Sequence, residues 1–123
     1  MSIKKITPQG KNNPKTIQTS GMSREELFTN PDAWTGIVKT DPNTSSGWHH
    51  HGDYDTYVYV IAGNVRLDFG QNGKNVIEAG QGDVVFIPKG TIHKESNPNS
   101  KEGELFVIRV GSGTPVFNVE GPY

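Results

Sequence analysis

The sequence predicts an all-β domain with few or no helices, and three observations carry that reading. Fifteen glycines and eight prolines are spread along the 123 residues as punctuation, without a repeat period. Between them lie short runs rich in β-branched and aromatic residues, such as Thr56 to Ile61 and Val84 to Ile87, with the length of strands. Turn signals separate the runs, the strongest being Asn72-Gly73 within Gln71-Asn72-Gly73-Lys74. Eight to ten short strands in one domain close on themselves as a barrel or a double-sheet jelly roll, because closure removes exposed edges.

Taken in order, residues 1–15 are polar, with Pro8, Gly10, Asn12, Asn13 and Pro14, and read as a loose arm. Ile3 and Ile6 could pin it, or it could be exchanged with a partner subunit. Residues 16–123 form the single domain. Thr16 to Met22 fits a short edge strand. Ser23-Arg24-Glu25-Glu26 has the form of a capping box, compatible with one helical turn or with a further strand. Asn30-Pro31-Asp32 makes a turn. Trp34 to Thr40 alternates apolar and polar side chains and stops at Asp41-Pro42-Asn43, and Ser46 to His51 is the next extended piece. Thr56 to Ile61 and Val65 to Phe69 flank Ala62-Gly63-Asn64, a connection of hairpin length. In the second of these runs Val65, Leu67 and Phe69 share one face. Further strands are expected over Asn75 to Ala79, Val84 to Ile87, Ile92 to Ser96, Glu104 to Val110 and Val116 to Val119. Gly111-Ser112-Gly113 is a flexible connection to the last.

Composition excludes several function classes. A net charge of −1 with both signs interspersed gives no electrostatic basis for nucleic-acid binding. No apolar run approaches the length of a membrane span. Met1-Ser2-Ile3-Lys4-Lys5 has no apolar run behind it, so a signal peptide is not expected and a cytoplasmic location is. With no cysteine in the chain, any metal must be held by nitrogen and oxygen.

Chemistry concentrates in Trp48-His49-His50-His51-Gly52-Asp53-Tyr54-Asp55, which holds three of the four histidines. On a strand, His49 and His51 point to one face and His50 to the other. Two imidazoles on one face make half of a metal site. The fourth histidine, His93, lies in Gly82-Asp83-Val84-Val85-Phe86-Ile87-Pro88-Lys89-Gly90-Thr91-Ile92-His93-Lys94-Glu95-Ser96-Asn97. There Val84 to Ile87 is a buried strand, Pro88 ends it and Gly90 supplies a tight turn. His93 then opens the next strand, antiparallel and close to the last, aimed into the barrel.

This segment resembles the second motif of the cupin family, G-x5-P-x-G-x2-H-x3-N, at Gly82, Pro88, Gly90, His93 and Asn97. The family's first motif, G-x5-H-x-H-x3,4-E-x6-G, is met by His49, His51 and Gly63 within residues 43–63. The resemblance covers roughly Trp34 to Val110 and implies a double-stranded β-helix barrel that brings His49, His51 and His93 together around a metal. Two features depart from it. Asn43 stands where the leading glycine would be, and the glutamate that usually supplies the fourth ligand is absent. Counting back from Gly63 puts Thr56 in its place; counting forward from His51 puts Asp55 there. One residue reverses the face of a strand. Asp55 is the candidate fourth ligand or the partner of one, and a three-histidine site with open positions is the alternative.

Neutral imidazoles with a carboxylate or water suit a divalent transition metal, and Fe, Mn, Ni, Cu and Zn all satisfy that donor set. Asp53, Thr56 and Asn97 are nearby groups able to orient the imidazoles. Tyr57, Tyr59, Phe86 and Arg109 are the candidate substrate-binding residues, with Trp34, Phe106 and Arg66 also available to line or charge a pocket. The resemblance implies a metal-dependent enzyme of dioxygenase, isomerase or lyase type acting on a small organic acid or sugar-like molecule. A non-catalytic module that binds or senses a metal or small ligand is the alternative. It also implies a homodimer, since small barrels of this kind pair by exchanging edge strands.

Overall fold

The computed structural model describes residues 2–10 and 21–122. Its strands, in chain order, are β1 (Met22–Asn30), β2 (Ala33–Thr40), β3 (Thr44–Ser45), β4 (His49–His50), β5 (Asp55–Ala62), β6 (Asn64–Phe69), β7 (Asn75–Gly80), β8 (Val84–Ile87), β9 (His93–Asn97), β10 (Gly103–Val110) and β11 (Phe117–Asn118). They form two antiparallel sheets. One has the order β1-β2-β10-β5-β8; the other runs β11-β4-β9-β6-β7, with β3 also paired to β9. The helical content of the described residues is one 3-10 turn, Gln71–Gly73. No helix among them is long and apolar enough to cross a membrane.

Strand alternation packs the space between the sheets. Val38, Leu105, Val107, Val58, Val60, Val85 and Ile87 come from the first sheet, and Val65, Leu67 and Ala79 from the second, all buried. Each fully buried aliphatic side chain of this kind contributes roughly 1.5–3 kcal/mol relative to an exposed one, so this apolar layer dominates the stability of the barrel.

One open alternative is resolved and two expectations about connections change. Ser23 to Glu26 is strand, paired through Glu25↔Ile37 and Glu26↔Gly36, because a barrel edge needs a partner more than one turn of helix needs a cap. Ala62-Gly63-Asn64 is not a hairpin: β5 pairs with β10 and β8, while β6 pairs with β7 and β9. Gly63, at φ 79°, turns the chain from one sheet into the other. The step from β8 to β9 is a second crossing of this kind, so the two strands are not paired neighbours. Asn72-Gly73 does close a hairpin, between β6 and β7, with positive φ at both residues.

The expected edge strand over Thr16 to Met22 lies outside the described residues except for its end, where Met22 opens β1. Of the N-terminal arm, residues 2–10 are described and exposed. The backbone N–H groups of Gln9 and Gly10 donate to the Glu25 carboxylate, at 2.8 and 3.0 Å. Ile3 is fully exposed, so Glu25 rather than an apolar anchor ties the arm down.

Candidate metal centre

The two crossings determine where the histidines arrive. β4 lies beside β9 with His49 paired to His93, and His51 follows directly after β4. The ring centroids of His49, His51 and His93 are 4.3 to 5.4 Å apart. All three rings are buried within the barrel. His50 points the other way, as alternation requires: its ring stacks on Phe117 at 4.9 Å and its Nδ1 accepts from the Gly52 N–H.

The fourth member of the group is Glu95. One ligating atom each from His49, His51, His93 and Glu95 lie within 4.8 Å of one another. Glu95 stands two residues after His93 on β9, so both side chains face inward. Ser46 fixes it from both sides of its backbone: the Glu95 N–H donates to Ser46 Oγ at 2.9 Å, and the Ser46 N–H donates to the Glu95 carbonyl at 2.7 Å.

Asp55 is not brought to this group. It opens β5 on the face shared with Tyr57 and Tyr59, and its Oδ1 accepts from the Lys89 N–H at 2.9 Å. Thr56 is the inward residue, and its hydroxyl meets His51 Nδ1 at 2.6 Å. The residue expected to compete for the ligand position therefore holds the His51 ring, a candidate ligand, in place. The Nδ1–H groups of His49 and His93 donate to the carbonyls of Gly47 (3.0 Å) and Thr91 (2.9 Å). A carbonyl can only accept, so these bonds fix the tautomer and leave Nε2 to face the group. Asn97, expected among the orienting residues, instead ties loops together through Thr40 O, Lys101 O and the Asn99 N–H. Asp53 is exposed.

Electrostatics make the group a poor proton acceptor, with the His49 and His51 imidazoles held neutral and the carboxylate ionised. Burial pushes the His51 pKa down to about 2, aided by the neighbouring His93 and Arg109. Burial likewise lowers His49. For Glu95, burial alone would raise the pKa, but the His93 hydrogen bond and the three imidazoles outweigh it and hold the carboxyl well below the usual range. His93 Nε2 lies 3.2 Å from Glu95 Oε1. Three inward nitrogens and one carboxylate, already oriented by second bonds, fit a divalent transition metal by donor type.

Of the residues expected to bind substrate, Arg109 faces inward and is buried, with its guanidinium over the Trp34 ring at 4.8 Å. Its Nε has no hydrogen-bond partner among the described residues, and burial lowers its pKa to about 10, with Arg24 adding to the effect. Tyr57, Tyr59 and Phe86 are 42 to 50% exposed. Phe86 borders a cavity beside His93, but its ring lies against that of Tyr57 with centroids 5.0 Å apart, on the outside of the sheet. Arg66 pairs with Asp68 at 2.9 Å.

A family model for the cupin domain matches residues 36–109. The chain is 40% identical over 47 residues to the uncharacterized protein YdbB of Bacillus subtilis, covering 38% of this chain and 40% of that one. It is 31% identical over 67 residues to a putative quercetin 2,3-dioxygenase of Zymomonas mobilis, covering 54% of this chain and 28% of that one. The matches thus span less than half the length of both relatives. Among solved structures, the polyketide cyclase RemF from Streptomyces resistomycificus superposes with a TM-score of 0.76 at 20% identity, covering 95% of this chain and 86% of that one. That likeness is one of fold. With a family model matched across all but the ends of the barrel, and with the histidines of both motifs meeting in its interior, the chain belongs to the cupin family.

Proposed function

We propose that the chain is a divalent-metal enzyme whose metal is held by His49, His51 and His93 through Nε2 and by Glu95 through its carboxylate. The observation that carries this reading is the buried, convergent His3Glu group in which each imidazole is held by a second bond. A bound metal would supply Lewis-acid polarisation of a substrate oxygen or, if redox-active, electron transfer. The chain's own contributions are separate. Thr56, Gly47 and Thr91 orient the ligands, and Ser46 positions Glu95. Arg24 and Arg109 keep the space behind the ligands positive, and the apolar layer excludes water. Dioxygenase, isomerase and lyase chemistry are all compatible with such a site, and the partial likeness to a putative quercetin dioxygenase favours the first.

Metal analysis of freshly purified protein tests the proposal, followed by O2 uptake with a panel of small organic molecules. About one metal per chain is expected, lost in His93→Ala with the fold retained. A stoichiometric metal that survives His93→Ala would rule the site out. Turnover separates an enzyme from a binding module, for which ligand-induced stabilisation without turnover is the mark.

The homodimer is part of the same proposal. Tyr57, Tyr59, Val84 and Phe86 sit side by side on β5 and β8, with Asp55 at the end of the same face of β5. Aromatic side chains bury 150–250 Å² each, so this half-exposed group offers on the order of 400 Å², about half of one partner's share of a standard interface. β8 is also the outer strand of its sheet, so a second copy can extend the sheet across a two-fold axis.

A further inference from the structure

The four candidate ligands are held in two different ways. His93 and Glu95 stand on β9, which runs inside its sheet, with β6 along one side and β3 and β4 along the other. His49 and His51 stand on the segment 47–54, which is pinned at its two ends. At one end Ser46 is bonded to the Glu95 backbone; at the other β5 begins, and Thr56 is bonded to the His51 ring. Between those pins the segment pairs with β9 at one position, His49↔His93.

The outer side of this segment is covered by residues 114–122. Phe117 pairs with His50 and Asn118 with His49, and the Val119 N–H donates to the Trp48 carbonyl at 3.0 Å. The Phe117 ring stacks on His50 with the planes 17° from parallel. A Cβ at Gly52 would lie 2.8 Å from the Phe117 ring and 2.9 Å from Thr114 O, so the covering is close. A Cβ at Gly73 would lie 2.8 Å from the Trp48 ring and 3.3 Å from Pro122, which extends the contact past β11. The covering is lightly attached in its turn. Phe117 and Asn118 are exposed, and neither belongs to the buried apolar layer. Its link to β10 is Gly111-Ser112-Gly113. Gly111 is a fixed post: its N–H donates to Asp32 O at 2.9 Å, and a Cβ there would collide with the Asp53 carbonyl oxygen. Gly113, at φ 95°, has open space where a Cβ would be, so it can absorb a backbone rotation.

The open cavity of about 250 Å³ beside His93 is a poor route for an ion. Its walls include Leu67, Phe69, Ile77, Val85 and Ile87. A hydrated dication would shed water against them with little besides Thr91 to replace it. We infer that residues 114–122 are a strap that gates the metal. Docked, the strap holds His49 and His51 against the fixed pair His93 and Glu95. Swung out about Ser112-Gly113, it frees the segment 47–54, and the metal enters and leaves by that side. The inference rests on the metal centre proposed above. Linkage makes the coupling reciprocal: a metal that ties His49 and His51 to β9 favours the docked strap by the same factor by which the docked strap tightens the metal.

The test follows release of Zn(II) from the full chain into an excess of a chromophoric chelator, alongside hydrogen exchange resolved by segment. Phe117→Ala removes the stack on His50, and Val119→Pro removes the N–H bonded to Trp48. Each should speed Zn(II) release about fivefold or more. Ile77→Trp, which narrows the apolar cavity at a half-exposed position, should leave release unchanged. The strap residues lie outside the buried apolar layer, so these variants should fold, as thermal unfolding would check. In hydrogen exchange, residues 48–50 and 117–119 should open together, more slowly with Zn(II) than without, while β9 stays protected. Release as slow in both strap variants as in wild type would overturn the inference, as would release slowed by Ile77→Trp. If the chain takes up no Zn(II), the metal reading fails, and the strap's hold on His49 and His51 is judged by exchange alone. Faster exchange at residues 48–50 in Phe117→Ala, with β9 unaffected, would then uphold that hold; unchanged exchange would overturn it.

Discussion

Asp55 and Thr56 are neighbours with opposite roles, and the strand between them decides which. Thr56 faces the barrel interior and holds His51 Nδ1; Asp55 faces away and caps the Lys89 amide. The side chain that matters most for the site therefore came from elsewhere. The spacing of His49 and His51 and the corner before His93 are legible in the sequence, because strand periodicity and a Pro–Gly turn fix direction. Glu95 was not found, because counting along the family motif placed the carboxylate after His51. Alternation along β9 would have found it: His93, Glu95 and Asn97 share one buried face. At this scale Thr56→Val should leave the fold intact and weaken metal affinity roughly 10–100-fold, as loss of a ligand's orienting partner typically does. Competition with a chromophoric chelator would measure it, and an unchanged affinity would remove Thr56 from the site.

Strand positions were legible because short apolar runs between turn residues have few alternatives, but the partners of those strands were not. Ala62-Gly63-Asn64 has the length and residues of a hairpin, yet here it carries the chain between sheets. Local turn chemistry says that the chain bends without saying which sheet receives it. Packing settles the corner at Gly63, where a Cβ would lie 3.1 Å from Gly103 Cα and 3.3 Å from Glu102 O, in a conformation L-residues rarely adopt. Gly63→Ala should therefore lower unfolding free energy by about 1–3 kcal/mol in urea titrations. A neutral effect would mean that the corner relaxes freely.

For the whole molecule, buried ionisable groups link stability to pH in one direction. His49 and His51 have folded pKa values below the unfolded value of 6.5, so below pH 6.5 the unfolded chain takes up protons that the folded chain refuses. Glu95 has a folded pKa below its unfolded 4.5, so its contribution is present above that value and lost as pH falls further. Both effects destabilise the metal-free protein in acid, the histidines first, by roughly 1 kcal/mol per pH unit each. Urea midpoints of metal-free protein should fall between pH 7 and pH 5; a flat profile would show that the imidazoles are not held neutral. The outward aromatic face makes a second whole-molecule prediction. Tyr59→Glu should shift the protein from dimer to monomer in light scattering, because two like charges would meet across the two-fold axis. A wild-type protein that is already monomeric would remove the dimer.

The central claim is that Glu95, delivered by β9, completes the metal site in place of a carboxylate after His51. Metal content of Glu95→Gln and Asp55→Asn, purified side by side with wild type, tests it most directly. Wild type and Asp55→Asn should each carry about one metal per chain, whereas Glu95→Gln should lose most of it, since the amide offers neither the charge nor the basicity of the carboxylate. Full metal content in Glu95→Gln with loss in Asp55→Asn would contradict the claim.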